Sequence, residues 1–262
     1  MTYCLGIKTH DGLVMAADSL TNAGVDYVSK VQKLFDFSRP GERVILISNA
    51  GNLSMTQNVL TLVRRDIKNK AENGIYDLPT MFEVAQYLGQ RVRAVADENR
   101  SWMQQDKIDF SCSFLLGGQI KGEAPELYMI YSQGNFLRAT KETPYLQIGE
   151  IKYGKPILDR TITYETHLDE AAKCALLSLD STMKSNISVG PPINMVMYEA
   201  DSLEIVHQVK FFDGDPYLNR IRQSWEQSVK QAFQELPSPD WRRVNMRDQE
   251  DNWLSPSNII PD

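Results

Sequence analysis

The order of strand-like and helix-like segments is the feature of this sequence that most limits its fold. Four short, apolar, β-prone segments occupy the first 50 residues, and two segments with helical periodicity follow them. Strand-like segments then return, a helical segment interrupts them, and two more strand-like segments precede a last helix. Strands and helices that cluster in this way favour sheets covered by helical layers over a strictly alternating parallel sheet. We therefore predict an α+β fold.

Apolar spacing assigns the individual segments. Short apolar or alternating runs predict strands at 3–8, 13–17, 33–37, 43–48, 110–117, 126–132, 193–200 and 204–212, with shorter strands in FLRAT and YLQIG. Helical spacing predicts helices over 54–70, 80–100, 168–184 and 217–235. The Asp11-Gly12 pair between the first two strands is typical of a hairpin turn.

Composition narrows the class of protein. A chain of 262 residues with 42% hydrophobic content can bury about three quarters of its unfolded surface. The net charge of -6 argues against a nucleic-acid or membrane-surface partner, because no basic cluster is present to hold phosphates. The three cysteines are widely spaced, as is typical of reduced thiols, and no apolar run approaches the ~20 residues that span a bilayer. We expect a soluble, cytoplasmic protein.

Two parts of the chain differ in composition. Residues 1–216 carry the regular strand and helix pattern and are predicted to form one domain. Residues 217–262 are predicted to form a helix followed by an extended tail that is polar and interrupted by prolines, and therefore cannot form a core alone. Trp241, Trp253 and the Ile259-Ile260 pair predict that this tail docks on a neighbouring subunit.

The second residue of the chain, Thr2, suggests chemistry. Methionine aminopeptidases remove Met1 when the next residue is small, and the chain would then begin with a threonine that carries a free α-amine. That amine has an ordinary pKa of about 7.7 to 8.0, so it can accept the proton of the hydroxyl on the same residue. A threonine hydroxyl is a weak nucleophile without such a base. Thr2 is therefore a candidate nucleophile.

Such a nucleophile needs a cation to lower its proton affinity, a carboxylate to hold the cation and an N–H for the oxyanion. Asp18 ends the second predicted strand, across the hairpin from the chain start. Lys33 begins the third predicted strand. Gly51 follows the fourth, in a loop where a backbone amide can face a substrate. These three residues are the candidates for the supporting roles.

The candidate residues form an ordered run along the first 51 positions: Thr2, Asp18-Ser19, the TNAG stretch from Thr21 to Gly24, Lys33 and the loop at Gly51. This run resembles the proteasome β-subunits and their bacterial relative HslV. The resemblance extends over roughly residues 2 to 212. The opening MTYC, the TNAGVD stretch, the SVGPP segment and the long tail most resemble the bacterial ancestral β-subunit branch, Anbu. The resemblance implies a four-layer αββα sandwich of the N-terminal-nucleophile hydrolase type.

The resemblance also implies a role for each site residue: Thr2 as nucleophile and base, Asp18 holding Lys33, Lys33 tuning Thr2, Ser19 beside the site, Gly51 as oxyanion donor, Ser188 as a supporting hydroxyl, and Thr21, Asn49 and Leu53 at the substrate pocket. It implies a threonine-type peptidase that cleaves peptide or unfolded protein, needs no cofactor or metal, and works as a homo-oligomer in a ring or open spiral. An ATP-dependent unfoldase partner is compatible with this family and is not indicated by the residues.

The sequence departs from the family pattern at three points. The spacing from Asp18 to Lys33 is one residue shorter than in most β-subunits, which leaves Lys30 as an alternative lysine. Glu150 occupies the position of an auxiliary serine. The supporting D-x-x-S motif reads Ser185-Asn186-Ile187-Ser188, which has no aspartate at its head. The departures at Glu150 and Ser185 leave open a weak or inactive structural subunit. A small-amide hydrolase of the same superfamily is a second alternative.

Other chemistries have little support in the sequence. His10, His167 and His207 stand apart, without an HxH or HExxH spacing, so no metal site is predicted. Cys4 lies in an apolar strand, without an evident histidine partner, and is expected to be a buried thiol. The sequence contains neither a GxGxxG motif nor a phosphate-binding loop, so no nucleotide is expected to bind.

Overall fold

The structure is a computed structural model that describes residues 1–22, 28–105 and 109–239. The chain divides into two compact units, Met1–Arg222 and Gln223–Asp262. The predicted boundary between 216 and 217 stays a prediction. The tail residues that we expect to dock on a neighbour, from Trp241 onward, lie outside the described residues, as do Ala23 and Gly24 of the TNAG stretch.

The first unit contains two five-stranded antiparallel sheets and a two-stranded ribbon. The first sheet has the order β10-β1-β2-β11-β12, formed by Tyr145–Gly149 (β10), Tyr3–Thr9 (β1), Gly12–Ala17 (β2), Ile193–Glu199 (β11) and His207–Phe211 (β12). The second sheet has the order β5-β6-β7-β8-β9, formed by Leu34–Asp36 (β5), Arg43–Gly51 (β6), Cys112–Ile120 (β7), Glu126–Ile130 (β8) and Phe136–Arg138 (β9). The ribbon pairs Leu20–Asn22 (β3) with Val28–Lys30 (β4).

Five helices lie in the described residues: Leu53–Lys68 (α1), Met81–Gln105 (α2), Lys155–Thr161 (α3), Leu168–Ser185 (α4) and Pro216–Glu235 (α5). Local capping explains two of the starts. The side chain of Asn52 accepts a hydrogen bond from the Met55 N–H at the start of α1. Thr80 and Glu83 exchange side-chain-to-backbone hydrogen bonds across the first turn of α2, which is a capping box. No helix among the described residues is long and apolar enough to cross a membrane.

Three hydrophobic clusters fill the spaces between the layers of the first unit. Apolar residues of β6 and β7 pack with α1 and α2 in one cluster, and those of β1 and β2 pack with α3 and α4 in another. The third cluster lies between the two sheets and combines the opposite faces of β1, β2, β6 and β7. Because successive side chains of a strand point to opposite faces, each sheet contributes to two clusters. The predicted α+β fold with four αββα layers is confirmed.

Neither α3 nor the β3–β4 ribbon is among the segments predicted from the sequence. The α3 segment KPILDRT has only 7 residues and contains a proline, so it is too short for a helical apolar period to stand out. Each ribbon strand has 3 residues, which is likewise too short for an alternating pattern. Every strand and helix that was predicted from the sequence corresponds to a strand or helix of the structure, with small differences at the ends.

Candidate active site

Thr2 lies immediately before β1 and is half-buried, while Met1 is 62% exposed. The Thr2 carbonyl accepts a 2.7 Å hydrogen bond from the N–H of Glu150, which holds the chain start against the end of β10. Gly149 makes this approach possible. Its φ is +87°, and a Cβ atom at that position would lie 2.0 Å from the Thr2 carbonyl oxygen.

Asp18 and Lys33 form a buried ion pair next to Thr2. Lys33 Nζ lies 2.8 Å from Asp18 Oδ1, with side-chain exposures of 3% and 0%. The same Oδ1 accepts a 2.9 Å hydrogen bond from the Tyr3 N–H, which belongs to the peptide that joins Thr2 to Tyr3. Lys33 Nζ also donates to the Leu20 carbonyl, at 2.5 Å. The structure thus brings Lys33 to Asp18, whereas Lys30 is exposed at the end of β4.

The partners of Asp18 define its charge. Oδ1 accepts from Lys33 and Tyr3, and Oδ2 accepts from the N–H groups of Leu20 at 3.1 Å and Gly190 at 3.4 Å. All four partners are donors, so the geometry selects the ionised carboxylate, which only accepts. Burial raises the pKa of Asp18, and the Lys33 ammonium and the backbone donors oppose that shift. The ion pair therefore keeps the carboxylate charged inside the protein.

The SVGPP segment supports this cluster from the other side. The Ser19 N–H donates to the Gly190 carbonyl at 3.2 Å, and Ser19 Oγ accepts a 3.0 Å hydrogen bond from Asn194 Nδ2. Together with the Gly190 N–H on Asp18, these contacts join the end of β2 to the start of β11. In the sequence, the SVGPP segment indicates only the family resemblance, although a glycine at this point is typical of a close backbone approach.

Gly51 is the last residue of β6 and is exposed. Its φ is +105°, and a Cβ atom there would lie 2.4 Å from the Ser111 carbonyl oxygen. Both observations require glycine at this position. The loop from Gly51 to α1 is short, since Asn52 already caps the helix.

The three predicted pocket residues lie on different elements. Thr21 is half-buried in β3, opposite Ser29, and Leu53 is the half-buried first residue of α1. Asn49 is buried in β6, and its N–H donates to the Lys33 carbonyl at 3.1 Å. The structure therefore brings Asn49 to the ion-pair segment, and the role of all three in substrate binding stays a prediction.

Glu150, which the sequence presents as a departure from the family pattern, lies next to Thr2 and contacts Asn186 of the supporting motif. Glu150 is 8% exposed, and its Oε2 accepts a 3.2 Å hydrogen bond from Asn186 Nδ2. Asn186 Oδ1 in turn accepts the Ser188 N–H at 2.9 Å. Ser185, the expected head of the supporting motif, is exposed at the end of α4. Glu150 therefore brings a carboxylate to the 185–188 segment.

Cys4 is not a competing nucleophile. Its side chain is fully buried, and burial raises the pKa of its thiol to about 12, despite the opposing effect of the Lys33 ammonium. The thiol donates to the Asn49 carbonyl at 3.4 Å. At neutral pH Cys4 is therefore a protonated core residue, as its apolar strand predicts, and not the thiolate that nucleophilic attack requires.

Comparison with known proteins identifies the family. A sequence model of the family described as "Proteasome subunit" matches residues 2–197. The chain belongs to the proteasome subunit family. Proteasome subunit beta of Haloquadratum walsbyi is 24% identical over 212 residues, which cover 80% of this chain and 78% of that protein. The corresponding subunit of Halorubrum lacusprofundi is 26% identical over 218 residues, covering 81% and 79%.

Solved structures extend the relationship to Anbu. Anbu (ancestral beta-subunit) from Yersinia bercovieri is 43% identical, with a TM-score of 0.85, and the match covers 91% of this chain and 98% of that one. A structure from Pseudomonas aeruginosa, described as the helical assembly of the Anbu complex, is 42% identical, with a TM-score of 0.87 and coverage of 92% and 99%. The resemblance to this branch and the N-terminal-nucleophile hydrolase type of the proteasome-like fold are confirmed.

Proposed function

We propose that this family member is a threonine-type peptidase whose nucleophile is the Thr2 hydroxyl after removal of Met1. The observation that carries the proposal is the buried Asp18–Lys33 ion pair, whose shared oxygen Oδ1 also accepts the Tyr3 N–H. The Lys33 ammonium is thus linked, through one carboxylate oxygen, to the peptide group that directly follows the proposed nucleophile. Buried charge pairs cost desolvation energy, so a pair at this position favours a chemical role over a purely structural one.

The α-amine of Thr2 would act as the general base. It accepts the hydroxyl proton while the Lys33 ammonium, by repulsion, lowers the pKa of the amine and stabilises the developing alkoxide. Asp18 keeps Lys33 charged and oriented. Glu150, whose N–H donates to the Thr2 carbonyl and whose carboxylate accepts from Asn186, would supply a carboxylate that holds the amine in position.

The reaction then follows acyl transfer. The Thr2 oxygen bonds to the substrate carbonyl carbon, and the Gly51 N–H donates to the resulting oxyanion. When the intermediate collapses, the C–N bond breaks and the leaving amine takes the proton from the Thr2 ammonium. Water, deprotonated by the freed α-amine, then attacks the ester, releases the second product and restores Thr2.

The proposal extends to substrate, assembly and location. An extended peptide would lie along the edge formed by Thr21 and Asn49, with Leu53 at the pocket. The chain would assemble with copies of itself, as the Pseudomonas aeruginosa relative does in its helical assembly. Residues 217–262 would contact a neighbouring subunit. The three free buried cysteines support a reducing compartment such as the cytoplasm.

The decisive experiment is intact-mass spectrometry before and after incubation with a peptide epoxyketone, which reacts with both the amine and the hydroxyl of an N-terminal threonine. We expect the purified chain to lack Met1 and to gain one inhibitor per subunit, at Thr2. The Thr2→Ala variant should gain none. Thr61→Ala, on the exposed face of α1, is the matched control and should react like the wild type.

Two results would refute the peptidase. Retention of Met1 would leave Thr2 without a free amine and favour the structural subunit. An adduct at Thr2 combined with turnover of small amides, but of no peptide, would favour the amidase.

A further inference from the structure

The turn between β1 and β2 brings two histidines and an aspartate together. His10 Nε2 lies 2.8 Å from Asp11 Oδ1, and His167 Nδ1 lies 2.9 Å from Asp11 Oδ2. The two imidazole centroids are 5.5 Å apart. One donor atom from each of the three residues lies within 4.8 Å of the others. His10 and His167, which stand apart in the sequence, are therefore neighbours in the fold, and the expectation that they are isolated is wrong.

These three side chains offer the donors that zinc-class cations bind. Imidazole nitrogens and carboxylate oxygens coordinate Zn²⁺ at about 2.0–2.2 Å, so neighbouring ligand atoms of a tetrahedral site lie roughly 3.3–3.5 Å apart. Each histidine–aspartate contact would have to open by about half an ångström and the two nitrogens to approach each other, which rotations of exposed side chains allow. The fourth position faces solvent and can hold a water.

The backbone that carries these ligands is held in place. The His10 N–H donates to the Tyr164 carbonyl at 2.9 Å, the Asp11 carbonyl accepts the Ala200 N–H at 2.8 Å, and the His167 carbonyl accepts the Ala171 N–H at 2.9 Å. The turn, the loop before α4 and the end of β11 therefore meet at fixed positions. A preformed site loses less conformational entropy when it binds an ion.

The second ring nitrogen of His10 provides an independent indication. His10 Nδ1 lies 3.4 Å from the Tyr164 carbonyl oxygen, to which an Nδ1–H can donate. The 2.8 Å contact with Asp11 Oδ1 needs a proton on Nε2, and a metal ion would take the place of that proton. Metal-ligating histidines usually donate their other N–H to a backbone carbonyl or a carboxylate in this way. The Glu165 carboxylate, 3.9 Å from His10 Nδ1, adds negative charge that attracts a cation.

We propose that His10, Asp11 and His167 form a binding site for a divalent transition-metal ion of the zinc class. The ion would fasten the β1–β2 turn to the loop that precedes α4. The site lies at the opposite end of β1 from Thr2, a separation of roughly 20 Å for 7 residues. It goes beyond the proposed peptidase and does not depend on it. The rival account is that hydrogen-bonded ion pairs alone hold the three side chains together.

The test is calorimetric titration of ZnCl₂ into the tag-free, EDTA-treated full chain at pH 7.5. We expect one Zn²⁺ per chain, and weaker binding by at least about tenfold in both His10→Ala and His167→Ala, because loss of a direct ligand should cost no less than loss of an outer partner. His207→Ala is the matched control: His207 is an exposed histidine that pairs with Glu199 at 3.3 Å, and its loss should leave the affinity unchanged. MgCl₂ should give no binding heat.

A second readout locates the ion without reference to activity. Zn²⁺ should shift the imidazole C–H resonances of His10 and His167 in the proton NMR spectrum and leave those of His207 in place. The proposal is overturned if the wild type binds no Zn²⁺, if the His10→Ala/His167→Ala double variant binds it unchanged, or if His207→Ala loses as much affinity. Because Thr2→Ala should still bind Zn²⁺, failure here and failure of the peptidase proposal remain distinguishable.

Discussion

Lys33 Nζ and Asp18 Oδ1 are 2.8 Å apart, and both side chains are almost completely removed from solvent. The Tyr3 N–H shares this carboxylate oxygen, so the ion pair is attached to the first strand one residue from Thr2. Each charge is compensated largely by the other. Removal of one partner therefore affects both the stability of the core and the electrostatics at the chain start.

The first prediction separates the two candidate lysines. Lys33→Met should lower the free energy of unfolding by about 3–5 kcal/mol, because it leaves the Asp18 carboxylate buried without its counter-charge. It should also slow epoxyketone adduct formation by at least about a hundredfold. Urea denaturation and the rate of adduct formation measure the two effects. Lys30→Met, the exposed control, should change stability by no more than about 0.5 kcal/mol.

The double variant Asp18→Asn/Lys33→Met should regain part of the lost stability without regaining reactivity, since it removes the buried charge and not merely its partner. A larger loss of reactivity in Lys30→Met than in Lys33→Met would contradict the assignment of Lys33.

The second prediction concerns the close approach of β10 to Thr2. Gly149→Ala would put a Cβ atom 2.0 Å from the Thr2 carbonyl oxygen, at a φ of +87°. Gly122→Ala has a similar φ of +90°, with open space around the new atom. Gly122→Ala should lower the free energy of unfolding by about 1–2 kcal/mol from backbone strain alone and keep full reactivity. Gly149→Ala should lower the free energy of unfolding by more and should slow adduct formation at Thr2. If the two variants lost the same stability and reacted at the same rate, the close approach of Gly149 to Thr2 would have no effect on either property.

The third prediction assigns an effect to Glu150. A carboxylate near the Thr2 amine stabilises the ammonium form and so raises the pKa of the amine. In a plot of the rate of adduct formation against pH, Glu150→Gln should therefore move the acid limb to lower pH, by about one unit. The measurement is the rate of epoxyketone modification from pH 5 to 9. Glu204→Gln, an exposed control, should leave the limb in place, and an unmoved limb in Glu150→Gln would restrict Glu150 to a packing role.

The fourth prediction follows from the buried thiol of Cys4. Burial raises its pKa to about 12, so the folded protein favours the protonated form. This contribution to stability is complete below the ordinary thiol pKa of about 8.5 and is lost as the pH rises towards the folded value. The unfolding free energy of the wild type should fall relative to that of Cys4→Ala by about 1.4 kcal/mol per pH unit between pH 9 and 11. The prediction is contradicted if the urea-denaturation midpoints of the wild type and of Cys4→Ala change with pH in parallel over that range.

Local patterns were sufficient for most of the architecture. The hairpin at Asp11-Gly12, the capping box at Thr80 and the apolar spacing of α4 each depend on residues close in sequence, and each was predictable. Short elements such as α3 carry too few residues for a period to emerge. The family motif likewise indicated Thr2 and Asp18, because it is a spacing along the chain.

The amino-acid sequence was thus enough to predict the fold class, the family and the residues that could react. Their contacts emerge from the folded chain: Lys33 rather than Lys30 reaches Asp18, Glu150 contacts Asn186 across 36 residues of sequence, and His167 contacts Asp11 across 156. The reason is physical. Hydrophobic period and turn chemistry act over a few residues, whereas burial and side-chain contact depend on strand register and on the packing of layers that are remote along the chain.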